Sequence, residues 1–146
     1  MEYSCGIIPF RKNANGEVEF FVGHPGGQGE EWQNYWAYLK GCAKGEETWV
    51  ETALREFKEE SGLSLEGITK NNLFELGAIQ QNKRKIAVAF ALHYPNIKVE
   101  DCVSNIAEEG DSPEIDRYCW MTLEQLKDKT HPTHIGFYKQ IIEMVS

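Results

Sequence analysis

Nowhere in the 146 residues does an apolar run approach the roughly 18 residues that a membrane-spanning helix needs. The opening MEYSCGIIPFRKN has no basic lead followed by a long apolar stretch, so no targeting segment is expected there. Cys5, Cys42, Cys102 and Cys119 form no CxxC pair, which leaves both a zinc site and a disulfide framework without a signal. There is no Gly-x-Ser-x-Gly elbow. His24, His93, His131 and His134 fall at no spacing that suggests a catalytic triad or a zinc site, and none is assigned a catalytic role. Internal repeats, low-complexity tracts and interdomain linkers are missing as well. Positive charge is scarce: 15 lysines and arginines face 23 aspartates and glutamates, a formal net charge of −8. That balance, with no broad basic patch, argues against a long polyanion, so nucleic acid is not an expected partner. An anionic ligand would need cations as mediators. The compartment these features lead us to expect is the reducing cytoplasm, with thiols that are buried or incidental.

What remains is a chain with 41% hydrophobic, 26% charged and 12% aromatic residues, enough to build one compact domain over residues 1–146. Nothing in it specifies an oligomeric state. Residues 3–10 and 18–24 read as antiparallel strands around a turn-rich connector, and Tyr35 to Leu39 as a brief aromatic strand. Two further strands are expected at 73–80 and 85–93, the second apolar enough to be central, and another at 115–121. The clearest helix runs from Thr48 to Ser61: Thr48 and Glu51 form an S/T-x-x-E capping box, and Gly62 stands at the left-handed C-cap position. Thr122 to Gln125 repeats the box at the head of a short helix. Ile135, Tyr138, Ile141, Ile142 and Val145 mark a last amphipathic helix.

At about 100° per residue the central helix places Glu56, Glu59 and Glu60 on one stripe, beside an apolar face of Val50, Ala53, Leu54 and Phe57. Like charges at this spacing each cost roughly 0.2–0.5 kcal/mol, so helix stability alone does not favour the arrangement. A solvated acidic face is the plainest account of such a stripe. The alternative is a set of hard oxygen ligands for Mg²⁺ or Mn²⁺.

The run from Gly41 to Leu63, GCAKGEETWVETALREFKEESGL, places Gly41, Glu47, Arg55, Glu56, Glu59, Glu60 and Gly62 in a register that resembles the Nudix box of Nudix hydrolases. With each position matched at about 7% by chance, coincidence is on the order of one in a million. Phe57 departs from the family's usual aliphatic residue. The resemblance implies an α/β fold, a Nudix-type α/β/α sandwich with a mixed sheet. It also implies Mg²⁺-dependent (or Mn²⁺-dependent) hydrolysis of a phosphoanhydride, with Glu56, Glu59 and Glu60 as metal ligands. In this reading Arg55, Glu56, Glu59 and Glu114 are the catalytic set, and Lys40 and Gly41 bind substrate. Arg55 would hold a carboxylate in its ligating rotamer by bidentate hydrogen bonds. Glu47 either reaches Arg55, adds a ligand through water, or simply favours the helix N-terminus. Gly41 and Gly45 either admit phosphates or metal to the backbone or serve as ordinary turn glycines.

Family members often recruit an acid from outside the box, and the acidic loop offers Glu108, Glu109, Asp111 and Glu114. Glu114 is chosen because its place six residues before Trp120 resembles a spacing in diadenosine tetraphosphate hydrolases. SCGIIPFR, W-x-Y-L-K-G and VETALRE are similar to the same branch, although Leu39 and Cys42 depart from its pattern. HPGG at 24–27, LGAIQQNKRK and PEIDRYCW resemble a bacterial group of predicted nucleotide pyrophosphohydrolases. A small-molecule nucleotide is therefore the expected partner, with a dinucleoside polyphosphate leading. A nucleoside triphosphate or nucleotide sugar is the alternative, and a non-catalytic nucleotide-binding regulatory module is the rival outside the class. Trp32, Tyr35, Trp36 and Tyr138 are candidate base platforms that compete with plain packing roles. Lys40, Lys83, Arg84 and Lys85 are candidates for outer phosphates.

Overall fold

A computed structural model describes residues 1–26, 33–105 and 114–146. The strands are β1 (Glu2–Lys12), β2 (Val18–Pro25), β3 (Leu39–Cys42), β4 (Phe74–Gln80), β5 (Lys85–His93) and β6 (Ile115–Thr122), and the helices are α1 (Trp49–Ser61), α2 (Leu123–Leu126) and α3 (Ile135–Val145). The sheet is mixed, with order β4-β5-β1-β2-β6 and β3 beside β1. β1 and β5 are parallel; every other pairing is antiparallel.

β1 lends one edge to two partners. Ser4 to Ile7 pair with β3, and Phe10 to Lys12 pair with β2, so the sheet opens between them. Gly23 and Ala37 close that opening through two backbone hydrogen bonds of 2.8 and 3.0 Å. The expected strand at 35–39 is thereby corrected to 39–42. The aromatic run does not pair as a strand: Trp36 N–H instead donates to Lys129 O at 2.6 Å.

Alternation along the central strands builds two cores. On one face Cys5, Ile7, Phe21, Val88 and Phe90 meet Ala53 and Phe57 of α1; on the other Ile8, Phe20, Val22, Ala87, Ala89 and Ala91 meet Phe137, Tyr138 and Ile141 of α3. β5 is buried on both sides, as its apolar run predicts, with small residues toward α3 and larger ones toward α1. Helices thus cover both faces of a mixed sheet, the expected sandwich. No helix among the described residues is long and apolar enough to cross a membrane.

α1 begins and ends where the sequence marks it. Glu51 N–H donates to Thr48 Oγ1 at 3.1 Å and Thr48 N–H donates to Glu51 Oε1 at 2.9 Å, while Gly62 takes φ 74° and caps the last turn. Such caps stabilise a helix by about 1 kcal/mol each. Their consequence for function is a fixed rotation of α1, which sets the direction of each glutamate.

Candidate active site

Glu56 and Glu60 lie one turn apart on α1 and are 7% and 6% exposed. Glu114, just before β6, brings its carboxylate to them. The three residues offer oxygens that all lie within 4.8 Å of one another. Glu60 Oε1 is buried and has no hydrogen-bond partner. Burial, with Glu56 and Glu114 facing it, pushes the Glu60 carboxyl up to about 9. Burial also raises Glu56, against the pull of Arg55. A carboxylate this deep demands a cation or a proton, since an isolated buried charge is costly.

Gly41 is built into this pocket. A Cβ at that position would overlap the Glu56 carboxyl group, so only glycine lets the side chain lie across β3. The close approach anticipated at Gly41 is thus made by Glu56 itself.

Arg55 uses its whole guanidinium. Nε and Nη2 donate to the two carboxylate oxygens of Glu47 at 2.7 and 2.9 Å, Nη1 donates to Glu56 Oε1 at 2.8 Å and Glu59 Oε2 at 3.2 Å, and Nη2 also donates to the Cys42 carbonyl at 3.0 Å. The bidentate partner is therefore Glu47, and Glu56 is held by a single bond. Lysine has no planar fork to span these acceptors. Glu47 also accepts from Lys44 N–H and the Thr52 hydroxyl. Hydrogen bonds from Arg55, above all, hold its carboxyl down at about 2.

Glu59 is not brought into the trio. It points to Arg55, and its side chain is 35% exposed. Lys40 also departs from its expected position. Leu39 faces α1, so Lys40 faces the opposite side, where its Cβ approaches Gly6. Burial and the charge of Lys85 lower its ammonium to about 8. Lys83 and Arg84 are exposed in the turn before β5, and Lys85 is half-buried.

Among the candidate platforms, Tyr138 is fully buried against Phe20, with ring centroids 4.9 Å apart. Trp36 packs on the core with His24 edge-on at 5.3 Å and Arg117 above it at 5.5 Å. Tyr35 is half-buried. Trp32, Glu108, Glu109 and Asp111 lie outside the described residues. Two supports escape sequence reasoning altogether. The Tyr118 hydroxyl donates to the Glu60 carbonyl at 2.6 Å, and Gly26 N–H donates to the Glu114 carbonyl at 2.9 Å.

A sandwich that directs three carboxylates into one recess defines a class of oxygen-rich sites suited to hard divalent ions. The family model for the NUDIX domain matches residues 7–141, and the chain belongs to that family. It is accordingly a hydrolase, a pyrophosphohydrolase of the Nudix kind. Among solved structures it is similar to the NUDIX domain of Shewanella oneidensis NrtR complexed with ADP ribose, at 12% identity and a TM-score of 0.69 over 99% of this chain and 88% of that one. A Caenorhabditis elegans Ap4A hydrolase is 19% identical, with a TM-score of 0.62 and full coverage of both chains. A MutT/nudix family protein from Enterococcus faecalis is 16% identical, with a TM-score of 0.62 over 83% of this chain and 43% of that longer one. At these identities the likeness speaks for the fold alone. No curated protein matches the sequence.

Proposed function

We propose that Glu56, Glu60 and Glu114 hold Mg²⁺ or Mn²⁺ and that the protein hydrolyses a phosphoanhydride within a dinucleoside polyphosphate such as diadenosine tetraphosphate. The carrying observation is the buried, unpartnered oxygen of Glu60 inside a trio of converging carboxylates. The fit to a divalent ion is good: the donors are hard oxygens, and Gly41 leaves room for Glu56. A bound divalent ion would neutralise phosphate charge and make water a competent nucleophile near neutral pH.

The chain's own residues do the rest. Arg55 holds Glu56 in place and ties α1 to the β3 loop through Glu47 and the Cys42 carbonyl. Glu59, 35% exposed and bonded to Arg55, is left to take a proton through solvent. One structural neighbour is described in complex with ADP ribose and another as an Ap4A hydrolase. Both compounds link a nucleoside to another group through a phosphoanhydride chain, the feature this site is suited to grip.

The test is incubation of the protein and Mg²⁺ with diadenosine tetraphosphate, nucleoside triphosphates and nucleotide sugars, with products separated by chromatography. One water added across diadenosine tetraphosphate should yield ATP plus AMP. Preferred turnover of a triphosphate or a nucleotide sugar would reassign the substrate, and no turnover of any would favour a regulatory binding module.

Gly41→Ala gives a sharper check on the geometry. The new methyl group meets the carboxyl end of Glu56 rather than backbone, so the cost falls on the Arg55–Glu56 bond and unfolding free energy should drop by about 1–3 kcal/mol without loss of the fold. Displacing Glu56 from Arg55 and from the trio should lower kcat about tenfold or more. Denaturant unfolding and steady-state rates on one preparation measure both.

A further inference from the structure

His24 has no part in the reading above, yet it is 5% exposed and both of its ring nitrogens are engaged. Nδ1 lies 2.7 Å from Asp116 Oδ1, and Nε2 lies 2.8 Å from the Gln33 carbonyl oxygen. The two ring nitrogens thus tie β2 to a carboxylate of β6 and to the backbone at Gln33. Trp36 packs against the ring, and Arg117 reaches the same two acceptors, with Nη2 3.4 Å from Gln33 O and Nε 3.6 Å from Asp116 Oδ1. An aliphatic side chain would pack here without burying a polar ring, so packing alone does not account for histidine.

Asp116 occupies a special position. β2 and β6 pair in step from Glu19 with Thr122 to His24 with Arg117, and then the register jumps so that Pro25 faces Ile115. Asp116 is the additional residue of a β-bulge. On a regular strand, residues three apart point to opposite faces. Here Ile115 and Tyr118 both pack on the α1 side. The bulge therefore re-aims the chain immediately beside Glu114, which is what bulges near active sites commonly do.

We infer that His24 is a positioning residue for the third carboxylate: by gripping Asp116 it holds the bulge that turns Glu114 toward Glu56 and Glu60. The inference rests on the proposed role of Glu114 as a ligand. Groups that orient ligating carboxylates typically govern metal affinity by 10- to 100-fold.

The experiment is Mn²⁺ binding to the full chain, followed by the electron paramagnetic resonance of free Mn²⁺. The proteins compared are wild type, His24→Gln, Asp116→Asn, Glu114→Gln, and the two double variants that combine His24→Gln or Asp116→Asn with Glu114→Gln. His24→Gln should weaken Mn²⁺ binding about tenfold in the wild-type background and leave Glu114→Gln unchanged, because nothing remains to be positioned. Asp116→Asn should behave in the same way, and it carries the test if His24→Gln does not fold. A merely structural role would disturb Glu56 and Glu60 too and would weaken binding equally in both backgrounds. Equal weakening in the two backgrounds, or none in wild type, overturns the inference. Unaltered Mn²⁺ binding by Glu114→Gln itself refutes the ligand assignment, and the inference falls with it.

Discussion

Replacing Glu60 with glutamine should abolish turnover while leaving the fold intact. The side chain is 6% exposed and one of its oxygens has no partner, so its burial is explained by what it binds rather than by what it packs against. Glutamine keeps the shape and resembles the protonated acid that burial favours in the metal-free protein. It removes the negative charge a divalent ion requires. We expect kcat to fall by about a thousandfold, roughly 4 kcal/mol of barrier, with metal-free thermal stability equal to or above that of wild type. Glu56→Gln should act in the same direction and also weakens the charge-assisted bond from Arg55 Nη1. Glu59→Gln should stay within about tenfold of wild type, because Glu59 touches Arg55 and not the trio. Steady-state rates on the leading substrate decide the matter. A Glu60→Gln enzyme within about threefold of wild type, under 1 kcal/mol of barrier, would remove the site from this helix.

The second large effect concerns pH. Treated with chelator, the protein should lose stability as pH rises from about 6.5 to 8, and added Mg²⁺ or Mn²⁺ should suppress the loss. Glu60 drives this trend. Its carboxyl is pushed up to about 9 in the folded chain, against an ordinary value near 4.5 once unfolded. Between those values the folded state binds the extra proton, so stability is full at low pH and declines as pH climbs. Raised Glu56 adds to the decline.

Other shifted groups act outside this window. His134, buried and lowered to about 3, has the opposite sign, but its contribution is complete by about pH 6.5. Glu47, held at about 2, contributes stability that is lost only as pH falls through the acid range. Lys40, lowered to about 8, begins to favour the folded state only above that pH. One proton limits the slope from Glu60 to about 1.4 kcal/mol per pH unit. Urea midpoints at three pH values, with chelator and with metal, measure the trend. Glu60→Gln should flatten it. Metal uptake displaces the proton, so affinity for the ion should rise with pH over the same interval. A metal-free protein whose stability is level from pH 6.5 to 8 would mean that Glu60 is not held as a buried acid.

The features legible in the sequence are those that neighbouring residues settle among themselves. Thr48, Glu51 and Gly62 bound α1 because caps are made within one turn. β5 reads as a central strand because its run leaves no face for water. Helical periodicity alone puts Glu56, Glu59 and Glu60 on one stripe, and the register from Gly41 to Gly62 points to the family. Periodicity cannot say which acids converge. Arg55, tied to Glu47 and the Cys42 carbonyl, draws Glu59 away from the trio, and Glu114 enters from the far end of the sheet. β3 was shifted by its pairing with β1, and that same register turned Lys40 to the α3 side. His24 gains its partners only when Asp116, 92 residues later, bulges out of β6. Each of these outcomes depends on strands meeting across long stretches of chain, where one residue of register reverses the face a side chain occupies. Local propensity carries no record of that meeting, which arises only as the two cores close around the sheet.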